Sequence, residues 1–431
     1  MVSVNAIKAM KILIVYRHFW PDSPPYASML RSIAKQLCAD GHSVTILCEQ
    51  PCYKTTDGES ESPFNDLVDG IKVIRLSRVM FWKKISLVRS LSKTLFPIRA
   101  FIYCLTHKKI NSSFDLVWTA TIPPVLSGLI GRKLAQKYNA KFLYHCQDLY
   151  PEIAVHMKMI KSHGILHRVM QRIEKVNREE AHVVVSLSED MFQTISRLAY
   201  APQGKQVVLN NFLLEDFSQS DAPLHHVKEM KVFSNIEAIK VVFAGNLGRF
   251  QGLQSIVQAI TSLGVDGERF ELVFIGEGNA LNSLKQLAGK QKNISFLPHM
   301  SYSEVKHLIV KADYGLVSLE KGIYKYAFPS KTLSYLGLFV PLVVIVEAES
   351  KIALSVEENN IGYSCDGSNV EDIADMFKGM ISNTDQISKH KHNAENYYKV
   401  NCERQKILNS WSMLVQELDT QQVADVVMVK T

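Results

Sequence analysis

The sequence predicts an α/β protein built from two doubly wound parallel sheets. Three observations lead there. Strand-like apolar runs recur with helix-period segments between them, the runs are too continuous for strands with one wet face, and a polar, acidic stretch interrupts the pattern midway along the 431 residues. With 47% apolar and 21% charged residues, a chain of this length can bury two or three cores, which excludes a disordered or low-complexity protein.

In order along the chain, the first series of strands is KILIVY (11–16), SVTILCE (43–49), IKVIRLS (71–77), DLVW (115–118), KFLYHC (141–146) and HVVVSLS (182–188). The stretch LEDFSQSDAP (214–223) then reads as a linker. A second series follows: KVVFAG (240–245), FELVFIG (270–276), ISFLP (294–298), YGLVSL (314–319), LVVIV (342–346) and GYSC (362–365). Ligands of such sheets bind beyond the carboxyl ends of the strands, and a cleft between two such domains is the default site.

Charge is localised. From Ile71 to Phe114 there are ten Lys or Arg and no Asp or Glu, so this segment carries +10 against +7 for the whole chain. Within it Phe81, Trp82, Ile85, Leu87, Val88, Leu91, Leu95 and Phe96 alternate with cations, among them Lys83, Lys84 and Arg89, at near-helical spacing. That pattern suits the plane of an anionic membrane, and it equally suits a solvated helix packed internally on its apolar side. Nucleic acid fits less well, because no familiar binding motif accompanies the aromatics. Seven scattered cysteines without CxxC pairs point to reduced core thiols. The N-terminus lacks signal-peptide features, and the longest uncharged runs fall short of the roughly 20 residues a membrane span needs.

The second half carries the more specific chemistry. AGNLGRFQGL places Gly245, Gly248 and Gly252 at a strand-to-helix turn, with Arg249 ahead of a helix expected from about Gln251. IGEGNAL repeats the arrangement with Gly276, Glu277 and Gly278. Such loops suit a phosphate, although glycines also occupy these turns for steric reasons alone. Neither is a dinucleotide fingerprint and no P-loop exists, which counts against oxidoreductase and ATPase readings. In FPSKTLSYLG, Pro329 and Ser330 read as a helix entrance with Ser330 as cap, and Gly337 as its end. Lys331 then sits in the first turn, where the helix dipole disfavours a cation unless an anion shares the site.

The order FWPD, HCQDLYPE, FAGNLGRFQGL, IGEG and FPSKTLSYL resembles family 4 glycosyltransferases of the GT-B fold over nearly the whole chain, most of all the bacterial subgroup that builds surface polysaccharide (O-antigen, capsule or exopolysaccharide) on lipid carriers. The resemblance implies two Rossmann-like domains facing across a cleft: 1–212 for the acceptor, joined by a returning helix at about 401–431 with Leu408, Trp411 and Leu414 as its stripe, and 213–400 for the donor. It implies retaining transfer of a sugar, an N-acetylhexosamine or deoxysugar, from a UDP-sugar to a polyprenyl-diphosphate-linked saccharide. No obligatory metal, no cofactor and no nucleic acid are implied, and the place is the cytoplasmic face of the inner membrane.

By the same resemblance Arg249 and Lys331 stabilise the leaving diphosphate. His145, otherwise a core histidine, lies near the sugar, and Asp148 binds acceptor hydroxyls or serves as helper base. Asn246, Gly248, Gly276, Glu277, Gly278, Pro329, Ser330 and Ser334 surround the donor. Arg17, Asp22, Tyr26 and Glu152 surround the acceptor, while Asp148 and Glu152 are also placed to cap a helix. The chain departs from the family pattern in three places. Lys325 and Ser334 stand where two glutamates are usual, Gln251 stands where many relatives have lysine, and Pro24-Pro25 stiffens a loop that is often glycine-rich. A GT-B nucleotide-sugar 2-epimerase and a catalytically silent GT-B scaffold are the alternative readings.

Overall fold

The computed structural model describes residues 9–22, 24–51, 62–78, 86–107, 110, 113–198, 201–214 and 232–419. They form two compact units, one holding the residues up to Asn210 together with those from Gln405 on, the other running Asn211–Arg404. All but the first residue of the acidic stretch 214–223, and Trp82, Lys83 and Lys84, lie outside the described residues.

The first unit is built on β1 (Lys11–Val15), β2 (Ser43–Glu49), β3 (Asn65–Val68), β4 (Ile71–Leu76), β5 (Leu116–Ala120), β6 (Lys141–Cys146), β7 (Val183–Ser186) and β8 (Lys205–Val208). They form one sheet in the order β3-β4-β2-β1-β5-β6-β7-β8. Every neighbouring pair is parallel except β3 and β4. The central strands are buried along nearly their whole length, as continuous Val/Ile/Leu runs require when helices cover both faces. Two strands escape the apolar pattern. The short NDLV run of β3 has no fully buried residue and pairs as a hairpin through Asp69 and Gly70, both at positive φ, while β8 is a four-residue edge strand that begins Lys-Gln.

The helix Pro25–Ala39 starts on a proline, whose missing N–H costs nothing there, and buries Tyr26, Leu30, Ile33 and Leu37. The helix Arg404–Asp419 belongs to this unit except for its first residue. Its Ile407, Leu408, Trp411, Leu414, Val415 and Leu418 are buried. Trp411 stacks on Trp118 of β5 at a ring separation of 4.5 Å, Ser412 Oγ donates to Asp40 at 2.5 Å, and Glu417 pairs with Lys205.

The second unit is a parallel sheet of β9 (Ile239–Ala244), β10 (Phe270–Ile275), β11 (Ile294–Leu297), β12 (Tyr314–Ser318), β13 (Leu342–Ile345) and β14 (Gly362–Cys365), ordered β11-β10-β9-β12-β13-β14. Val241, Phe243, Ile256, Leu272, Phe274 and Phe377 anchor its core. Each such side chain is worth roughly 1.5 to 3 kcal/mol of apolar burial. Both sheets reverse their winding at the first strand, between β1 and β5 in one and between β9 and β12 in the other. In this architecture ligands bind beyond the carboxyl ends at those two points.

Candidate active site

In the second unit the loops after β9 and β10 lie side by side. Gly245 N–H donates to Ile275 O at 2.9 Å, Leu247 N–H to Glu277 O at 2.9 Å, and Ala280 N–H back to Leu247 O at 2.9 Å. The glycines make this approach possible. A Cβ on Gly276 would fall 2.1 Å from Gly245 O, and one on Gly278 would fall 2.2 Å from Leu247 O. Those two glycines are thus accounted for by backbone packing, and Gly245, with Asn246, is left open to solvent. Glu277 is exposed. After Gly248 a short 3-10 turn spans Arg249–Gln251, Gly252 reverses the chain at φ 58°, and the α-helix begins at Leu253, two residues later than the sequence suggests. The Arg249 side chain lies outside the described residues.

Lys331 is the first residue of the helix Lys331–Gly337. Ser330 occupies the cap position but is already helical (φ −55°, ψ −24°) and makes no side-chain cap bond, which corrects the capping role read from the sequence. Its preceding Pro329 accepts Thr332 N–H at 3.0 Å. The helix is held by Tyr335, whose hydroxyl accepts Ala244 N–H at 2.8 Å and whose ring fills the space a Cβ on Gly315 would need. The Lys331 chain therefore lies across the end of β9. Its Nζ donates to Gln251 Oε1 at 2.6 Å and sits 3.8 Å from the centre of the Phe243 ring. Gln251 is fixed in turn by Ser318 Oγ donating to its carbonyl at 2.5 Å. Burial lowers the Lys331 pKa to about 7, because the neutral amide and the ring replace water without supplying a counter-charge. Ser334 is half-buried on the same helix. Lys325 is exposed, and Glu320 is exposed beyond β12 with its N–H on Phe250 O.

In the first unit His145, on β6, is 1% exposed. Its Nε2 lies 2.9 Å from Gln147 Nε2 and its Nδ1 lies 2.9 Å from Tyr26 Oη. With the Gln147 amide donating, Nε2 accepts and Nδ1 carries the proton that it donates to Tyr26. Burial depresses the imidazole to about 3, so it is neutral and both nitrogens are engaged. Trp411 stands 5.1 Å from the ring, tying the Arg404–Asp419 helix to this group. Thr121 Oγ1, just past β5, accepts the N–H groups of Gln147 (3.0 Å) and Asp148 (3.3 Å). The Asp148 carboxyl, partly exposed but with no partner side chain among the described residues, is pushed up to about 6 by desolvation.

The other acceptor-side residues hold the loops together. Arg17 Nε donates to buried Glu49 at 2.7 Å, and buried Asp22 lies 2.8 Å from His18 Nδ1. Glu152 opens a short helix and lies 3.5 Å from Arg178, which is fully buried, approaches Glu174 at 3.5 Å and donates to Tyr150 O at 3.0 Å.

The basic segment is also partly internal. Arg75 is buried, donating to Asp66 and Trp20 O, and Arg99 pairs with Glu49 at 2.9 Å, so these two cations serve the fold rather than an outward face. The helix Ser86–Thr106 buries Phe96, Ala100 and Cys104 while Ile98, Ile102 and Leu105 face water. The side chain of Arg89 lies outside the described residues. No helix among the described residues is long and apolar enough to cross a membrane. Thr121 and Glu49 are absent from the sequence-derived site because a lone Thr just past a strand, or a lone Glu at a strand's end, carries no motif. Only the sheet order makes them neighbours of the switch point.

Residues 26–211 match the model of the glycosyl transferase 4-like domain, and residues 228–399 match that of glycosyl transferases group 1. The chain is a group 1 glycosyltransferase. This glycosyltransferase is 25% identical over 287 residues to WbjE of Pseudomonas aeruginosa, named as a probable glycosyltransferase, covering 64% of this chain and 69% of that protein. It is 22% identical over 360 residues (80% and 85%) to WcaI of Escherichia coli K12, named as a putative colanic acid biosynthesis glycosyl transferase. Its fold matches sucrose-phosphate synthase of Thermosynechococcus elongatus with a TM-score of 0.70 at 14% identity, over 95% of this chain and 99% of that one. It also matches Anabaena Alr3699/HepE in complex with UDP and glucose with a TM-score of 0.64 at 14% identity, over 95% and 100%. These are GT-B glycosyltransferase sheets, and the glycosyltransferase shares with its group the use of a nucleotide-sugar donor.

Proposed function

We propose that the enzyme transfers a sugar, an N-acetylhexosamine or a deoxysugar, from UDP to a polyprenyl-diphosphate-linked saccharide with retention of configuration. The observation that carries this reading is Lys331. A lysine drawn out of water at a sheet switch point, paired among the described residues with a neutral amide and a ring, is short of an anion, and a diphosphate beside the open Gly245-Asn246 turn supplies it. Structural neighbours holding UDP, and relatives tied to polysaccharide, support the donor and acceptor classes.

In this scheme residues 213–400 bind the donor and 1–212, with the returning helix, the acceptor. The bond from the sugar C1 to the diphosphate oxygen breaks, charge grows on that oxygen, and Lys331 with Arg249 stabilises it. The acceptor hydroxyl forms the new C1–O bond on the same face, and its proton passes to the departing phosphate oxygen. Asp148, poised near neutrality, orients that hydroxyl and accepts a hydrogen bond from it. His145 cannot shuttle protons at about 3, so it holds Gln147 and Tyr26 in place. Ser334 or Glu320 takes the ribose in place of the usual glutamate. The segment around Trp82, Lys83, Lys84 and Arg89 holds the enzyme on an anionic cytoplasmic leaflet.

The test is thermal stabilisation by UDP, GDP, CDP, ADP and NAD, for the enzyme and for Lys331→Ala. At about 100 times its dissociation constant a true ligand adds about 2.7 kcal/mol. A UDP shift absent in Lys331→Ala supports the diphosphate site. A shift with NAD alone, or one indifferent to Lys331, overturns it.

A further inference from the structure

Beyond the basic segment, a second surface of the first unit combines exposed apolar tips with cations. Met159 is 65% exposed, Ile165 83%, Leu166 57% and Val169 45%. Lys158, Lys161, Arg168 and Arg172 are exposed around them and make no ion pair among the described residues. From His156 to Arg178 the acidic residue is Glu174, which is fully buried, so no carboxylate offsets these charges within the stretch.

The helix Ile165–Glu179 organises this surface. At 100° per residue, Ile165, Arg168, Val169 and Arg172 share its outer face, and His167, Glu174, Asn177 and Arg178 fill the inner one. The inner face reaches the candidate site directly. Glu174 accepts from Tyr144, the residue before His145, and Arg178 donates to Tyr150 O in the loop that carries Asp148. One helix thus carries a wet basic-apolar face and a dry face that clamps the acceptor loop.

We infer that this outer face docks on an anionic membrane surface and sets the acceptor loop against it. The inference rests on the lipid-linked acceptor proposed above and names where its carrier bilayer meets the enzyme. Charge complementarity selects the bilayer: cations ring projecting aliphatic tips, which enter the headgroup boundary while the cations stay with lipid phosphates. The face offers no aromatic platform for nucleic acid.

The experiment is co-sedimentation of the full chain with phosphatidylcholine vesicles containing about one-third phosphatidylglycerol, at low and high salt, for the enzyme, Ile165→Ser/Leu166→Ser and Arg168→Gln/Arg172→Gln. All four positions are solvent-exposed, so folding survives. UDP-induced thermal stabilisation is read on the same samples. Each cation at a bilayer contributes roughly fivefold, so the charge variant binds about 25-fold more weakly with a flatter salt dependence. The apolar variant loses about tenfold at every salt concentration. Vesicle binding unchanged in both variants overturns the inference while a UDP shift keeps the donor reading. An oligomer dissolved by Ile165→Ser/Leu166→Ser with vesicle binding intact also overturns it, marking a self-association surface. Binding to RNA but not to vesicles overturns it as well. If UDP gives no shift but the variants weaken vesicle binding, the docking face stands and the donor reading falls.

Discussion

At the residue scale, burial holds three ionisable groups of the candidate site far from their ordinary behaviour. Lys331, at about 7 against an ordinary 10.5, is half neutral near physiological pH. On the diphosphate site proposed above, a phosphate needs the charged form of Lys331, so UDP affinity should be full below pH 7 and fall as pH rises, by up to tenfold per unit, until the pKa of the complex is reached. Titration calorimetry between pH 6 and 9 should show this fall together with proton uptake above pH 7. Lys331→Arg should flatten the profile, since guanidinium stays charged throughout. Asp148 is raised in the folded state from 3.8 to about 6. The folded protein therefore holds this proton where the unfolded chain has lost it, and the ionised carboxylate is a cost that grows from pH 3.8 to 6 and persists above. Asp148→Asn should stabilise the protein at pH 7.5 by roughly 1 kcal/mol, allowing for its contact with water, while slowing transfer. Chemical denaturation beside an initial-rate assay separates the two effects. His145, buried and neutral, was legible as a candidate from the family resemblance, at the end of the strand 141–146. Its saturated nitrogens were not, because Tyr26, 119 residues away, meets it only through the adjacency of β1, β5 and β6, and the local Gln147 contact depends on how the chain turns after β6.

At the scale of elements, the glycine loops after β9 and β10 were visible as strand-to-helix punctuation, and the sequence could not separate a phosphate cradle from tight packing. The structure divides the labour: Gly276 and Gly278 let two backbones touch, and Gly245 faces solvent beneath Lys331. Gly276→Ala puts a Cβ 2.1 Å from a backbone oxygen at φ 134°, and it should cost on the order of 3 kcal/mol, seen as a lowered denaturation midpoint with the slope unchanged. The long apolar strands were legible within a residue or two because burial on both faces leaves a continuous hydrophobic run. β3 and β8 were missed because edge strands bury little and carry polar residues. The helix Ile165–Glu179 shows the converse case, since its inner face is made of His, Glu, Asn and Arg and no apolar period betrays which side faces in.

At the scale of the whole molecule the division of the chain does not follow its order, because residues 405–419 complete the unit that residues up to 210 begin. Trp411→Ala removes a fully buried ring stacked on Trp118 and should cost about 3 to 5 kcal/mol. Calorimetry should show the loss in the first unit's transition, while the stabilisation of the second unit by UDP that the proposed donor site predicts should persist. The identical experiment on a chain stopped after Arg404 should give the stronger version of that result. The two-domain plan was readable from the two series of strands. That Trp411 reaches the ring of His145 was not, since spacing along a helix says which residues are buried and not what they are buried against.

The return of that helix also fixes an order of events on the ribosome. Trp118 and His145 are translated early, yet the surface that covers them arrives only with residues 404–419, after the whole of the second unit has been made. The second unit can thus fold first, while Trp118 and His145 in the first unit stay uncovered until the last of these residues has left the exit tunnel.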